Sequence, residues 1–135
     1  DPMHYVVSAV RLVHDGLPIL NAAPMLGWLN RLGEAQYNRQ TPDGYPMTEA
    51  AWSGSGQMGT RFEIARAIGG GSAGLLKADE PGAVDRAAFP QPPNPPYHRE
   101  LAATLGERTR AALAAAASTQ EWNVLLLASP EFMYR

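Results

Sequence analysis

The chain has no cysteine among its 135 residues. Disulfides, thiolate nucleophiles and Cys-ligated zinc are therefore excluded. The absence leaves the compartment open, since a cysteine-free chain tolerates oxidising and reducing surroundings alike. Basic charge is not in excess: the net charge is −2 and the pI is near 5.9. The electrostatic footprint of a phosphate-driven nucleic-acid binder is missing. Long hydrophobic runs are missing too. The longest, Ala111 to Ala117, makes about two turns of helix, whereas a membrane span needs about 20 apolar residues. No alternating pattern of useful length signals a strand. The opening Asp1-Pro2-Met3-His4 carries neither an initiator Met nor a signal peptide, so the chain reads as an excised domain or processed fragment.

What is present is helical periodicity. Asp1 is a capping residue and Pro2 fits the first helical position. Tyr5, Val6, Ala9, Val10 and Val13 then recur at three- and four-residue spacing, and Gly16 stops the run, which predicts a helix over 3–14. Leu20, Ala23, Leu26, Leu29 and Leu32 form a second stripe. Pro24 falls within it, so the regular helix is placed at 24–32 with Asn21 as its cap. A further helix is expected at 55–68, with Met58, Phe62, Ala65 and Ile68 on its apolar face and Gly69-Gly70-Gly71 ending it. The last third is alanine-rich and helical, over 99–105 and 108–117. Ser118-Thr119-Gln120-Glu121 is a capping box for a helix bearing Trp122, Leu125 and Leu126, and Ser129-Pro130-Glu131 opens a final turn.

Two stretches lack periodicity. Residues 33–51 form a long connection with a Pro42-Asp43-Gly44 turn, and Tyr37, Tyr45 and Trp52 are placed to pack it. Residues 70–97 form a Pro/Gly-rich insertion, flexible or extended, in which Pro90 to Pro96 favours polyproline geometry and Leu75, Leu76 and Val84 hint at a helical turn or two. The expected architecture is all-α, an irregular bundle of about five or six helices in a single domain over 1–135.

Candidate chemistry is sparse. Gly54-Ser55-Gly56-Gln57-Met58-Gly59 matches G-x-G-x-x-G before a helix, and Asp79 and Glu80 follow at about the 20-residue offset of a dinucleotide fingerprint. That fingerprint needs a strand first, and Pro46 to Trp52 is not one, so no cofactor is assigned. His4, His14 and His98 make no H-x-x-x-H pair, and no metal site is assigned. Ser129 lacks the G-x-S-x-G elbow, and helix capping accounts for it. Glu63 and Arg66 sit one turn apart as a surface pair, while Arg61 and Glu63 flank the apolar stripe. The three tryptophans, Trp28, Trp52 and Trp122, are core organisers ahead of an aromatic groove. A ligand, if one binds, is assigned to Tyr45, Trp52, Gly54, Gly56, Arg61 and Glu63.

The run Glu121-Trp122-Asn123-Val124-Leu125-Leu126-Leu127-Ala128-Ser129-Pro130-Glu131-Phe132-Met133-Tyr134-Arg135 resembles the C-terminal signature of a large bacterial family, domain of unknown function 1800. Tyr5 to Arg11, Gly27-Trp28-Leu29-Asn30, and Trp52 with Arg61 to Arg66 add looser matches. The resemblance implies the C-terminal part of a longer, exported protein, periplasmic or extracellular, with no catalytic residues to carry over. The favoured expectation is a structural or protein-interaction module whose partner is the rest of the parent polypeptide or another protein, with neither nucleic acid nor a membrane span involved. Two alternatives stay open: completion of a hydrolytic or redox active site in the full-length protein, and binding of a sugar or peptide by the 37–54 loop. Whether the chain is an enzyme is undecided by its residues.

Overall fold

The computed structural model describes residues 1–14, 17–34, 44–45, 48–52, 54–78, 80–83, 100–101 and 103–134. Most of the 33–51 connection, the Pro-rich stretch, Tyr37, Asp79, Val84 and His98 lie outside them. Among the described residues the regular elements are helices: α1 (Pro2–Val13), α2 (Ala23–Arg31), α3 (Glu49–Trp52), α4 (Ser55–Gly70), α5 (Glu107–Ala114), α6 (Thr119–Leu127) and α7 (Pro130–Met133). Residues 100–101 and 103–104 are helical as well. No strand occurs among the described residues, and none of their helices is long and apolar enough to cross a membrane.

Local chemistry accounts for the helix ends. The Asp1 carboxylate accepts from the His4 N–H at 2.7 Å, and the Glu34 carboxylate accepts from the Met3 N–H at 2.8 Å, so two exposed donors of α1 are satisfied. Asn21 accepts from the Ala23 N–H at 3.0 Å, an Asx turn that sets up α2 one residue earlier than a true cap. α2 ends in a Schellman motif: Gly33 N–H donates to Asn30, Glu34 N–H donates to Leu29, and Gly33 takes the φ of +83° that the motif requires. Ser118 caps α6 by accepting from Glu121 N–H at 3.1 Å. The Glu121 carboxylate reaches back one residue further than a capping box asks, to the Ala117 N–H at 2.9 Å. Ser129 caps α7 in the same manner through Phe132 N–H.

α4 is the central element and runs chiefly along α6, with α1 and α2 packed on its other sides. Gly69 makes that contact possible. A Cβ there would lie 2.7 Å from Val124 Cγ2 and 2.9 Å from the Val124 backbone nitrogen. Arg61, Ala65 and Gly69 follow at four-residue spacing, so this row turns inward with Ile64 and Ile68. The expected apolar face is thereby corrected: Phe62 is 46% exposed and Arg61 only 3%. Hydropathy favours Phe62 as the buried residue, but the close approach at Gly69 fixes the rotation of the helix. The α2 stripe is corrected likewise. Trp28, Leu29 and Leu32 are buried, while Leu20 and Leu26 face outward, because burying the large indole sets the phase.

The main core gathers side chains of α1, α2, α4 and the C-terminal turn with Leu75 and Leu76. A smaller cluster of Leu101, Leu105, Leu113 and Leu126 lies to one side, and Leu12 packs against both. The Leu75 carbonyl accepts from Leu20 and Asn21 N–H at 2.9 and 3.0 Å, tying the α1–α2 connection to the segment that follows α4.

Candidate functional site

Arg61 is carried inward by its place in the Arg61–Ala65–Gly69 row and becomes a buried cation. Its guanidinium carbon stands 4.9 Å from the Tyr5 ring centroid, a cation–π stack, and Nη1 donates to the Met133 carbonyl at 3.3 Å. The Tyr5 hydroxyl lies 3.1 Å from the Arg61 carbonyl and 3.3 Å from the Leu127 carbonyl and donates into this pair. Phe132 meets the same ring edge-on, with centroids 5.9 Å apart. Three segments distant in sequence are thus joined at one point: α1, α4 and the C-terminal stretch from Leu127 to Met133. Burial lowers the Arg61 pKa, partly offset by Tyr5 and Tyr134; a guanidinium stays protonated regardless. Burial also pushes the Tyr5 phenol well above its ordinary value, with Arg61 acting in the opposite sense. A phenol so shifted is a poor base and a poor nucleophile near neutrality, and neither residue lines any of the cavities described below. The pair holds the fold together.

The other ligand candidates fall in different places. Glu63 faces solvent and pairs with Arg31 of α2, not with Arg66. Tyr45 and Trp52 do come together, with ring centroids 6.2 Å apart and planes tilted by 45°. Trp52 is buried beside Gly33, and the Gln57 amide approaches the same glycine. Gly54 and Gly56 are exposed at the start of α4 with open space around them. The six residues therefore divide among an aromatic pair, an open helix start, a buried cation and a surface ion pair.

Three surface cavities are defined by described residues. One, of about 340 Å³, is lined by Val7, Val10, Arg11, Leu17, Ile19 and Met25 and is chiefly apolar. A second, about 460 Å³ and open, lies between α5 and α7 over Thr109 and Glu131. There the Glu131 carboxylate accepts from Gly106 N–H at 2.7 Å and from the Thr109 hydroxyl at 2.8 and 3.0 Å, capping α5 from another element. Hydrogen bonds from its own backbone, from Gly106 and from Thr109 lower the Glu131 pKa.

The third cavity, about 280 Å³, has the most varied chemistry: His4, Ser8, Arg11 and Glu100 around Leu12, Leu101 and Phe132. Sequence reasoning assigns His4 no site and does not group it with Ser8, Arg11 and Glu100. The available signal was the spacing of 4, 8 and 11, which sets three polar residues along α1 opposite its apolar stripe. Glu100 follows the Pro-rich stretch, and no periodicity ties it to α1.

No curated protein and no solved structure matches the chain. The family model described as a protein of unknown function, DUF1800, matches residues 1–134, nearly the whole chain. The resemblance first carried by the Glu121–Arg135 run thus extends over every helix described above, and the chain belongs to the DUF1800 family.

Proposed function

We propose that the chain is a helical packing module of a larger exported bacterial protein, presenting an apolar face to the rest of its parent polypeptide or to a partner protein. One observation carries this reading. Met3 and Val7 of α1, Leu17, Ile19 and Leu20 of the connection, and Leu26 of α2 are each 38–52% exposed. Val7, Leu17 and Ile19 share the 340 Å³ groove, in which Arg11 supplies the charge at the rim. Exposed apolar surface gathered as Val7, Leu17 and Ile19 are marks an interaction site more often than scattered single residues do. The hydrogen bonds from Leu20 and Asn21 to the Leu75 carbonyl hold the connection in its docking conformation, which lowers the ordering cost of association. Placement in the periplasm or outside the cell rests on the family resemblance alone.

Radical footprinting tests this reading. Met3 is 41% exposed and Met133 is 6% exposed, so the isolated chain should oxidise at Met3 and be protected at Met133. In the longer protein, or with the partner added, Met3 and Leu17 should lose most of their reactivity while Met133 is unchanged. Equal oxidation of Met3 in all forms would refute the proposal.

A further inference from the structure

The 280 Å³ cavity beside α1 combines charges of both signs with an apolar floor. Arg11 and Glu100 both line it, yet no salt bridge joins them, and neither is paired with another described residue. The His4 ring and the Ser8 hydroxyl lie along the same wall, one turn apart. The floor is Leu12, Leu101 and Phe132, of which the last two are buried.

We infer that this cavity binds a small zwitterion with an aliphatic side chain, of the α-amino-acid type. A simple anion would meet the Glu100 carboxylate, and a simple cation would meet the Arg11 guanidinium. Each is disfavoured by a like charge that no described residue neutralises. A ligand carrying both charges satisfies both: its carboxylate is held by the Arg11 fork and its ammonium by Glu100. The Ser8 hydroxyl and the His4 ring supply further hydrogen bonds to the carboxylate or ammonium end. The apolar floor needs a non-polar group to cover it, which selects an aliphatic side chain over glycine. At about 280 Å³ the cavity falls just below the usual range for ligand sites, about 300 Å³ and upward, which suits a free amino acid or a dipeptide rather than a larger molecule.

Calorimetric titration of the chain separates the possibilities. The probes are L-leucine, L-leucyl-L-leucine, N-acetyl-L-leucine, which lacks the ammonium, and L-leucinamide, which lacks the carboxylate. The expected result is that one of the two zwitterions binds about tenfold or more tightly than either singly charged analogue. Preference between leucine and the dipeptide identifies the source as free amino acid or peptide. Glu100→Gln should weaken the zwitterion about tenfold and tighten N-acetyl-leucine, whose carboxylate no longer meets a like charge, while Arg11→Gln should weaken the zwitterion to a similar extent and tighten leucinamide. Arg11 also borders the apolar groove, so Glu100→Gln is the more diagnostic variant. Both side chains are exposed, and the analogue series on the unmodified chain stands even if a variant misfolds. No binding of either zwitterion in the millimolar range, or equal binding of all four probes, would overturn the assignment.

Discussion

The α4–α6 contact and the α5–α7 contact join helices by opposite means. Along α4 and α6 the backbones nearly touch, with Gly69 against Val124, and the join is made by the absence of a side chain. Nearby, Arg61, a buried charge, is stabilised by a ring face and a carbonyl. Between α5 and α7 the join is a carboxylate: Glu131 accepts from Gly106 and Thr109 at the surface, beside a cluster of only four buried leucines. The first kind of join depends on shape and resists changes of pH and salt. The second depends on a protonation state and has water as a competitor. Stability should therefore be uneven, with α5 opening locally before the α1–α4–α6 core does.

The largest effect is expected at Arg61. Arg61→Ala removes a buried side chain, leaves a void over Tyr5, and strips the Met133 carbonyl of its donor. The expected loss is about 3 kcal/mol, read as a lowered midpoint in urea unfolding. Arg61→Met refills most of the volume and should lose roughly half as much, which divides packing from hydrogen bonding. If Arg61→Ala is neutral, the buried knot is not where stability resides. Next comes Gly69→Ala. On propensity alone it would stabilise a helix by about 1 kcal/mol. With a backbone nitrogen 2.9 Å from the new methyl, overpacking should win and cost about 2 kcal/mol net. Adding Val124→Ala should restore part of that, since it clears the side-chain clash and leaves the backbone one.

These two positions also show how far the sequence was legible. The all-α class and most helix spans followed from spacing and caps, because a capping Asp or Ser and a Schellman glycine act within a few residues of one another. The α1 helix expected over 3–14 is Pro2–Val13, and the one expected over 55–68 is Ser55–Gly70. Helix rotation was not legible. Phe62 looks like core and Arg61 like surface until Val124, 55 residues beyond Gly69, is known to press on α4. The Glu131–Thr109 clamp and the approach of Glu100 to the His4–Ser8–Arg11 row were invisible for the same reason: each joins residues by tertiary proximity, without any local pattern. Of the aromatic, glycine and charged residues named as ligand candidates, Tyr45 and Trp52 come together in the fold, whereas Arg61 and Glu63, two residues apart on one helix and so about 200° apart around its axis, face opposite ways.

Tyr5 offers a smaller effect with a distinct pH signature. Tyr5→Phe keeps the ring under Arg61 and removes the hydroxyl, at an expected cost of about 1 kcal/mol. The folded pKa of Tyr5 is raised, so its contribution is fully present below the unfolded value of about 10. Above that pH the unfolded chain loses a proton that the folded chain keeps, and stability falls as pH rises. The Phe variant should show a shallower alkaline decline, and parallel declines in both proteins would mean that the phenol is not held in its neutral form.

Glu131→Gln should have the smallest effect and the most local one. The folded pKa of Glu131 is lowered, so its stabilising contribution is present above the unfolded value of about 4.3 and is lost as pH falls through the folded one. Solvent screening near the surface keeps the effect below about 1 kcal/mol. Its location is the informative part. Backbone amides of α5, from Arg110 to Leu113, should gain exchange with deuterium on acidification, while Ile64 and Ile68 of α4 stay protected. Glu131→Gln should show the faster α5 exchange already at neutral pH and lose its acid dependence, because an amide accepts from Gly106 and Thr109 more weakly and does not titrate. If acid instead releases α4 and α5 together, the two joins belong to one cooperative unit, and Glu131 contributes to the core that Gly69 closes.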